Sequence, residues 1–251
     1  MLRRRASAAP DPLLALFASG EQGAYSYPTN AKAADGDYIN FTDAGGTIPA
    51  GADDIVRFIR DLTGNDNHFT QSDIDKGFAL RTNGSIWWWD ADGVDDYYVG
   101  GPVHGTVKEA HFALRRTSDL DRRFFYGGRS SSDLRLYFWF AVDNTINLAL
   151  KNDTSVVNSF VISANTDLVF GGSYDGSNEV LYNQETVIDT NSKVLDPTPG
   201  IESYLGTFNN SGAPLGDYFQ GRIYSFFDID RLLTAAERST VVSDAKARAG
   251  I

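Results

Sequence analysis

A single stretch near the C-terminus restricts the fold more than any other. From Arg222 to Asp230, period-two alternation puts Ile223, Ser225, Phe227 and Ile229 on one face of a strand. Tyr224, Phe226, Asp228 and Asp230 fall on the other. Thr234-Ala-Ala-Glu237 follows with the spacing of a capping box: the Thr hydroxyl accepts from the Glu amide, and the Glu carboxylate reaches back to the Thr amide. The spacing predicts a short helix ending near Gly250, where a C-cap glycine costs little. A long strand joined by a tight turn to a capped helix needs a sheet to join and a surface for the helix to cover.

The rest of the sequence supplies that sheet. Strands are expected at Val107–Leu114, Arg122–Gly127, Leu134–Val142, Thr145–Leu150 and Val156–Ile162, separated by turn clusters such as Asp143-Asn and Lys151-Asn-Asp. Spacings of this kind fit an antiparallel sandwich. Asn165–Tyr174 and Glu179–Asp189 read as a hairpin about Asp175-Gly176. The chain has 24 glycines and 13% aromatics, which favours many short strands and loops. At 251 residues it is long enough to bury a large core without a staple, as one large β domain or two small ones. It has no cysteine, so disulfides and thiolate chemistry are excluded and the redox compartment is not readable. The formal net charge of −11 argues against general nucleic-acid binding. No apolar run approaches the ~20 residues of a membrane-spanning helix, so no membrane insertion is expected.

The first residues, MLRRRASAAPDPLLALFASG, have the arginines of a secretory leader, but Pro10, Asp11 and Pro12 interrupt it and Leu13–Ala18 is short for its apolar core. Asp11 as N-cap and Pro12 at the first helical position read better as a short helix over Leu13–Ser19, ended by Gly20. Leu13, Leu14, Leu16 and Phe17 either fold back on the domain or anchor it to a larger assembly.

Several side chains invite a functional reading. In Gly84–Val99, alternation sends Ile86 and Trp88 one way and Trp87 and Trp89 the other. An outward Trp can stack on a sugar ring, although packing between sheets is its usual fate, and Trp87 and Trp89 are the candidates. Asp90, Asp92, Asp95 and Asp96 lie within seven residues. They suggest hard-cation ligands such as Ca²⁺, with Asp90, Asp92 and Asp95 as the set, or else acceptors that stabilise a turn. Arg115, Arg116, Arg122, Arg123, Arg129 and Arg135 concentrate in an otherwise acidic chain. They form either a site for an anionic glycan, led by Arg115, Arg122 and Arg129, or ordinary solvated faces. His68, in the turn Asp61–Gln71, is a hydrogen-bonded turn residue or a base; His104 and His111 show no zinc arrangement.

Four stretches together resemble concanavalin A-like, laminin-G-like domains, over roughly residues 55–249. The ending matches G-x-I-x-x-F-x-x-x-x-R-x-L-[ST]-x-x-E at Gly221, Ile223, Phe226, Arg231, Leu233, Thr234 and Glu237. Asp61, Gly64, Asn65, Asn67, His68 and Gln71 match the opening turn, and Asp92-Gly-Val-Asp-Asp-Tyr97 matches an F-D-G-x-D-D turn. Asp175, Gly176, Leu181, Tyr182 and Val187 match the hairpin, with Gln184-Glu185 replacing its Asn-Gly turn. DPLLALFASGEQGAY resembles the segment that precedes such a domain in many tailed-phage and prophage proteins.

The resemblance implies an all-β fold: a two-sheet antiparallel jelly-roll sandwich with a short C-terminal helix and an N-terminal arm. The expected divisions are an arm at 1–24, an irregular lead-in at 25–54 and the sandwich at 55–251. Laminarinase-type glucanases share that fold, but they need carboxylates spaced E-x-D-x-x-E or E-x-D-x-E. Glu occurs at 21, 109, 179, 185, 202 and 237, which fits neither spacing, and G-x-S-x-G, P-loop and H-E-x-x-H motifs are absent. Non-catalytic glycan binding is expected. The implied setting is the surface of a phage or gene-transfer-agent-like virion, as a decoration or fibre component. The arm would contact other virion proteins, the chain would form a homo-oligomer, and the sandwich would face host surface polysaccharide. The alternative is a secreted carbohydrate-binding module or glycan-active enzyme.

Overall fold

The computed structural model describes residues 11–100, 108–117, 122–124, 136–140, 145–150, 158–192, 203–207 and 218–251. In chain order the strands begin with β1 (Gly23–Ser26), β2 (Asn40–Phe41), β3 (Phe58–Ile59), β4 (Phe69–Thr70), β5 (Ala79–Thr82), β6 (Trp87–Asp92) and β7 (Tyr98–Gly100). They continue with β8 (Lys108–Arg116), β9 (Arg122–Phe124), β10 (Leu136–Phe140), β11 (Thr145–Leu150) and β12 (Asn158–Val161). Last come β13 (Asp167–Tyr174), β14 (Asn178–Asn183), β15 (Thr186–Ser192), β16 (Ser203–Leu205), β17 (Gln220–Ile229) and the helix α1 (Ala235–Ala249).

One layer is a sheet in the order β15-β14-β13-β8-β17-β6-β5, with β1 also paired to β17. Facing it are the sheets β12-β11-β10-β9 and β16-β7-β4-β3-β2. Among the described residues all strand pairs are antiparallel, and the expected sandwich is what the chain forms. Aromatic contacts close the two layers. Phe138 meets Phe112 and Phe170 edge-on at 5.2 and 5.1 Å, and Phe69 meets Phe226 at 5.2 Å. Such pairs add about 0.5–1.5 kcal/mol each beyond the area they bury.

The capping box is present as read: Thr234 Oγ1 accepts from Glu237 N, and Glu237 Oε2 accepts from Thr234 N. Gly250 takes φ +76° at the helix end. Helix α1 lies on the outer face of the large sheet, where Val242, Ala245 and Ala249 cover Trp88, Ala113, Val169 and Tyr224.

Strand β17 corrects the simple alternation. Its register shifts between Ile223 and Ser225, so one extra residue is spent against β8. Such a bulge exchanges the faces beyond it. Ile223 and Phe226 therefore both enter the central core, while Tyr224, Phe227 and Ile229 lie on the outer side under the helix and the N-terminal segment.

The N-terminal segment folds back. Asp11 Oδ1 accepts from Leu13 N, as an N-cap should, but a single 3-10 turn over Leu14–Phe17 replaces the expected helix. Leu13 and Phe17 are buried against Tyr25, Phe227, Ile229, Leu233 and Val241, and the half-buried Leu14 and Leu16 pack at the edge of the same cluster. Leu13 and Phe17 are thus spent on their own domain, while Leu14 and Leu16 keep part of their surface exposed. Leu13 retains 1% exposure and leaves nothing for a partner.

The hairpin about Asp175 is also as read, with Asp175 Oδ1 accepting from Ser177 N and Asn178 N. In the β14–β15 turn, Gln184 adopts φ +57°, the left-handed conformation that Asn-Gly turns supply more cheaply.

Candidate functional site

The side chains singled out by sequence do not converge on one place. Trp89 is fully buried and its Nε1 donates to Asn40 Oδ1 at 2.6 Å, so it offers no ring face to a sugar. Trp87, one pleat away, is half-buried and lines a surface pocket. Arg115 and Arg116 point to opposite faces of β8. Arg115 is paired with Asp167, and Arg116 is buried. Arg122 lies on β9, and its side chain, like residues 129 and 135, falls outside what is described.

The acidic turn is divided. Asp92, Asp95 and Asp96 bring carboxylate oxygens within 4.8 Å of one another, an arrangement that could hold a hard cation. Asp90 is not part of that trio and stands 3.9 Å from Arg81. The turn also uses its own carboxylates: Asp96 Oδ2 accepts from Asp92 N at 2.8 Å, and Asp92 Oδ1 from Val94 N at 2.7 Å. Burial, reinforced by Asp92 and Asp95, raises the Asp96 carboxyl to about 7.

The site that does form is a groove where β1, β6, β17 and α1 meet. Its first part, about 280 Å³, is lined by Tyr27, Trp87, Tyr224, Asp244 and Arg248. A second part, about 440 Å³, shares Tyr27, Asp244 and Arg248 and extends past Lys32 to Asp35. The second is in the size range of small-ligand sites, and the first lies just under it.

Local structure explains the placement of each wall. Asn83 Oδ1 accepts from Ser85 N and Ile86 N, and Gly84 supplies φ +94°, which fixes the turn leading into Trp87. Tyr27 leaves β1 directly after the pairing of Ser26 with Phe226. Asp244 and Arg248 are one helical turn apart on α1 and therefore share a face.

Arg248 organises the centre. Its guanidinium lies 3.2 Å from the Tyr27 ring centroid, its Nε donates to Asp244 Oδ2 at 3.1 Å, and its Nη2 donates to Tyr25 Oη at 2.9 Å. Tyr25 Oη donates in turn to Asp244 Oδ2 at 2.9 Å. Burial opposes the Arg248 charge, yet Tyr25, Asp244 and Tyr27 hold the guanidinium more firmly protonated than usual. Burial raises the Asp11 carboxyl, with Asp244 adding to the shift and Leu13 N and Arg248 opposing it. At the other wall Tyr224 Oη donates to Asp167 Oδ1 at 2.6 Å; burial and that carboxylate push the phenol up to about 12.

The groove thus presents aromatic surface beside fixed donors and acceptors, with the charge of Arg248 balanced locally. That suits a polyhydroxylated neutral ligand, whose C–H faces lie on rings and whose hydroxyls bond at the rim. The groove carboxylates are engaged: Asp244 by Arg248 and Tyr25, Asp35 by Arg60, Asp11 by Leu13 N. Sequence reading missed Tyr27, Asp244 and Arg248. No local signal marks them, since Arg248 and Tyr25 are 223 residues apart.

No family model and no curated protein matches the sequence. Solved structures with the same fold are found at low identity. An arabinofuranosidase complexed with arabinofuranosyl-α-1,2-xylobiose aligns over 94% of this chain and 65% of its own, at 11% identity and a TM-score of 0.63. Domain 4 of a GH43 extracellular arabinanase from Geobacillus stearothermophilus, in complex with arabinotriose, aligns over 88% and 98%, at 11% identity and a TM-score of 0.59. The binding domain of Paraclostridial mosquitocidal protein 1 aligns over 89% and 52%, at 10% identity and a TM-score of 0.57. This chain therefore spans about two-thirds of the arabinofuranosidase and half of the mosquitocidal chain. At such identities the likeness is one of fold.

Proposed function

We propose that this chain is a non-catalytic glycan-binding β-sandwich that takes a neutral saccharide in the groove of Tyr27, Trp87 and Arg248. The observation that carries the reading is the groove itself: two half-buried aromatic rings and a charge-balanced arginine held by the buried Tyr25 and the half-buried Asp244. The arabinofuranosyl-α-1,2-xylobiose and arabinotriose named for two structures of the same fold make pentose-containing chains the first to try.

The test is a glycan array on the full chain and on Trp87→Ala, with circular dichroism to confirm that both are folded. Binding by the parent and at least tenfold weaker binding by the variant are expected. Equal binding by both would remove the groove from the reading, and release of reducing sugar from a bound glycan would replace it with an enzyme.

The setting we propose is a tailed-phage or gene-transfer-agent-like particle, in which many copies face host polysaccharide. Support comes from the likeness of residues 11–25 to the opening of such proteins; Leu13 and Phe17, buried in their own domain, add none. Display would matter energetically, since linked weak sites gain roughly 10²–10⁴ in avidity. Light scattering should then show an oligomer, and a monomer at every concentration would leave a free binding module.

A further inference from the structure

A second pocket, about 540 Å³, opens beside β3 and contains Asp37, Tyr38, Phe41, Phe58, Arg60 and His68. Residues 32–38 contribute to both, Lys32 and Asp35 lining the groove and Asp37 and Tyr38 the pocket. That segment closes on itself through the Lys32–Tyr38 bridge, with Lys32 Nζ 5.0 Å from the Tyr38 ring centroid. Asp35 lines the groove, while its ion-pair partner Arg60 lines the pocket.

The pocket is rigidly built. Phe58 packs edge-on against Phe41 at 5.6 Å and lies 4.8 Å from the His68 ring, and both Phe58 and His68 remain half-exposed. The loop over Phe58 is fixed by Asp43, whose carboxylate accepts from Thr47 N, Thr47 Oγ1 and Ile48 N at 2.8, 2.9 and 2.7 Å. Gly46 in that loop has φ +69°, and a Cβ there would lie 3.1 Å from the Phe58 ring.

His68 is set in one tautomer. Its Nδ1 accepts from Asp61 N at 3.0 Å, so the neutral ring carries its proton on Nε2. The Asp61 carboxylate is itself engaged, accepting from Tyr25 N, Thr63 N and Asn67 N. Nε2 stands 3.7 Å from Asp66, whose side chain is 91% exposed, so it remains a donor available to the pocket.

We propose that this pocket is a second saccharide subsite, with one sugar ring on Phe58 and His68 and its hydroxyls meeting His68 Nε2, Arg60 and Asp37. The inference rests on the glycan-binding reading and deepens it, from one groove to two sites that both draw on residues 32–38. Arg60 is neutralised by Asp35, and burial disfavours a charge on His68 against the pull of Asp61 and Asp66, so the pocket does not call for an anion. An apolar peptide side chain would cover the rings but offer no acceptor to the His68 Nε2 proton. A sugar answers both halves of the wall.

The test is ¹⁵N imidazole spectroscopy on the full chain, titrated with millimolar methyl α-L-arabinofuranoside, methyl β-D-xyloside, methyl β-D-glucoside and methyl β-D-galactoside. At least one should shift the His68 Nε2 signal, and the shift should persist in Trp87→Ala. His68→Asn keeps an acceptor for Asp61 N and removes the donor and ring. It should lower the calorimetric stoichiometry from two sites to one. A His68 signal unmoved by all four glycosides, while the Trp87 indole responds, would overturn the second subsite and leave the groove standing. Silence of both signals would overturn the glycan-binding reading as well.

Discussion

Arg238 on the terminal helix grips Glu109 in the middle of the large sheet through two parallel bonds, Nε to Oε1 at 2.6 Å and Nη2 to Oε2 at 2.9 Å. Glu109 has no solvent exposure, and its oxygens also meet His111 Nε2 at 2.7 Å and Leu233 N at 3.0 Å. The guanidinium stacks on Tyr182 at 4.3 Å. This clamp fixes the orientation of α1 and so the place of Asp244 and Arg248 in the groove. Arg238→Met should cost about 3–5 kcal/mol, because it leaves a buried carboxylate without its counter-ion. In urea unfolding, adding Glu109→Gln should recover part of the loss. A double variant no better than the single one would mean that Arg238 acts through packing on Tyr182 alone.

Acid should loosen the same corner. Glu237 is held down to about 2 from 4.5, chiefly by Arg231, with Thr234 helping and burial opposing. A carboxylate with a depressed folded pKa contributes stability that is present above about 4.5 and lost as pH falls toward 2. Its side chain is 27% exposed, so solvent screening reduces the contribution to about 1 kcal/mol. Glu237→Gln should remove that much at pH 7 and make the acid branch of the stability curve shallower. An unchanged acid branch would assign the loss to other carboxylates.

Asp96 has the opposite sign. Its folded pKa is raised from 3.8 to about 7, so its contribution is fullest below 3.8 and is lost as pH rises through 7. Asp96→Asn can still accept from Asp92 N and carries no charge. It should be more stable than the parent at pH 8, by roughly 1–2 kcal/mol. If the variant is instead less stable at pH 8, the ionised carboxylate is being neutralised, and calcium-dependent melting of the parent would show whether a cation does so.

Gly23 lets β1 lie on β17. It has φ +151°, and a Cβ at that position would sit 2.1 Å from the Asp228 carbonyl oxygen. Gly23→Ala should cost at least ~2 kcal/mol by urea unfolding. Leu13→Ala, which empties a buried site under the same strand, should cost about 2–4 kcal/mol. A neutral Leu13→Ala would return the N-terminal segment to the role of a free anchor.

Features written within a few residues were legible beforehand. Thr234 and Glu237 are three positions apart, Asp175 captures amides two and three residues on, and the opposed faces of Trp88 and Trp89 follow from the pleat. Short-range geometry permits few alternatives, so residue order is enough. His68 as a turn residue belongs to the same class, because its acceptor role spans seven positions.

Other features depend on which segments meet. The bulge in β17 arises from its fit to β8, and it puts Phe227 rather than Phe226 under the N-terminal segment. Trp87 and Trp89 read alike as a pattern, yet only the latter lies over Asn40. The sequence by itself determined the antiparallel sandwich, its capped terminal helix and its turns, since periodicity and capping are properties of neighbouring residues. The tertiary structure alone decided that Leu13 and Phe17 face inward and that Tyr27, Trp87 and Arg248 share a groove. Those outcomes depend on long-range burial, where the apolar surface covered and the charges balanced outweigh what any local stretch prefers.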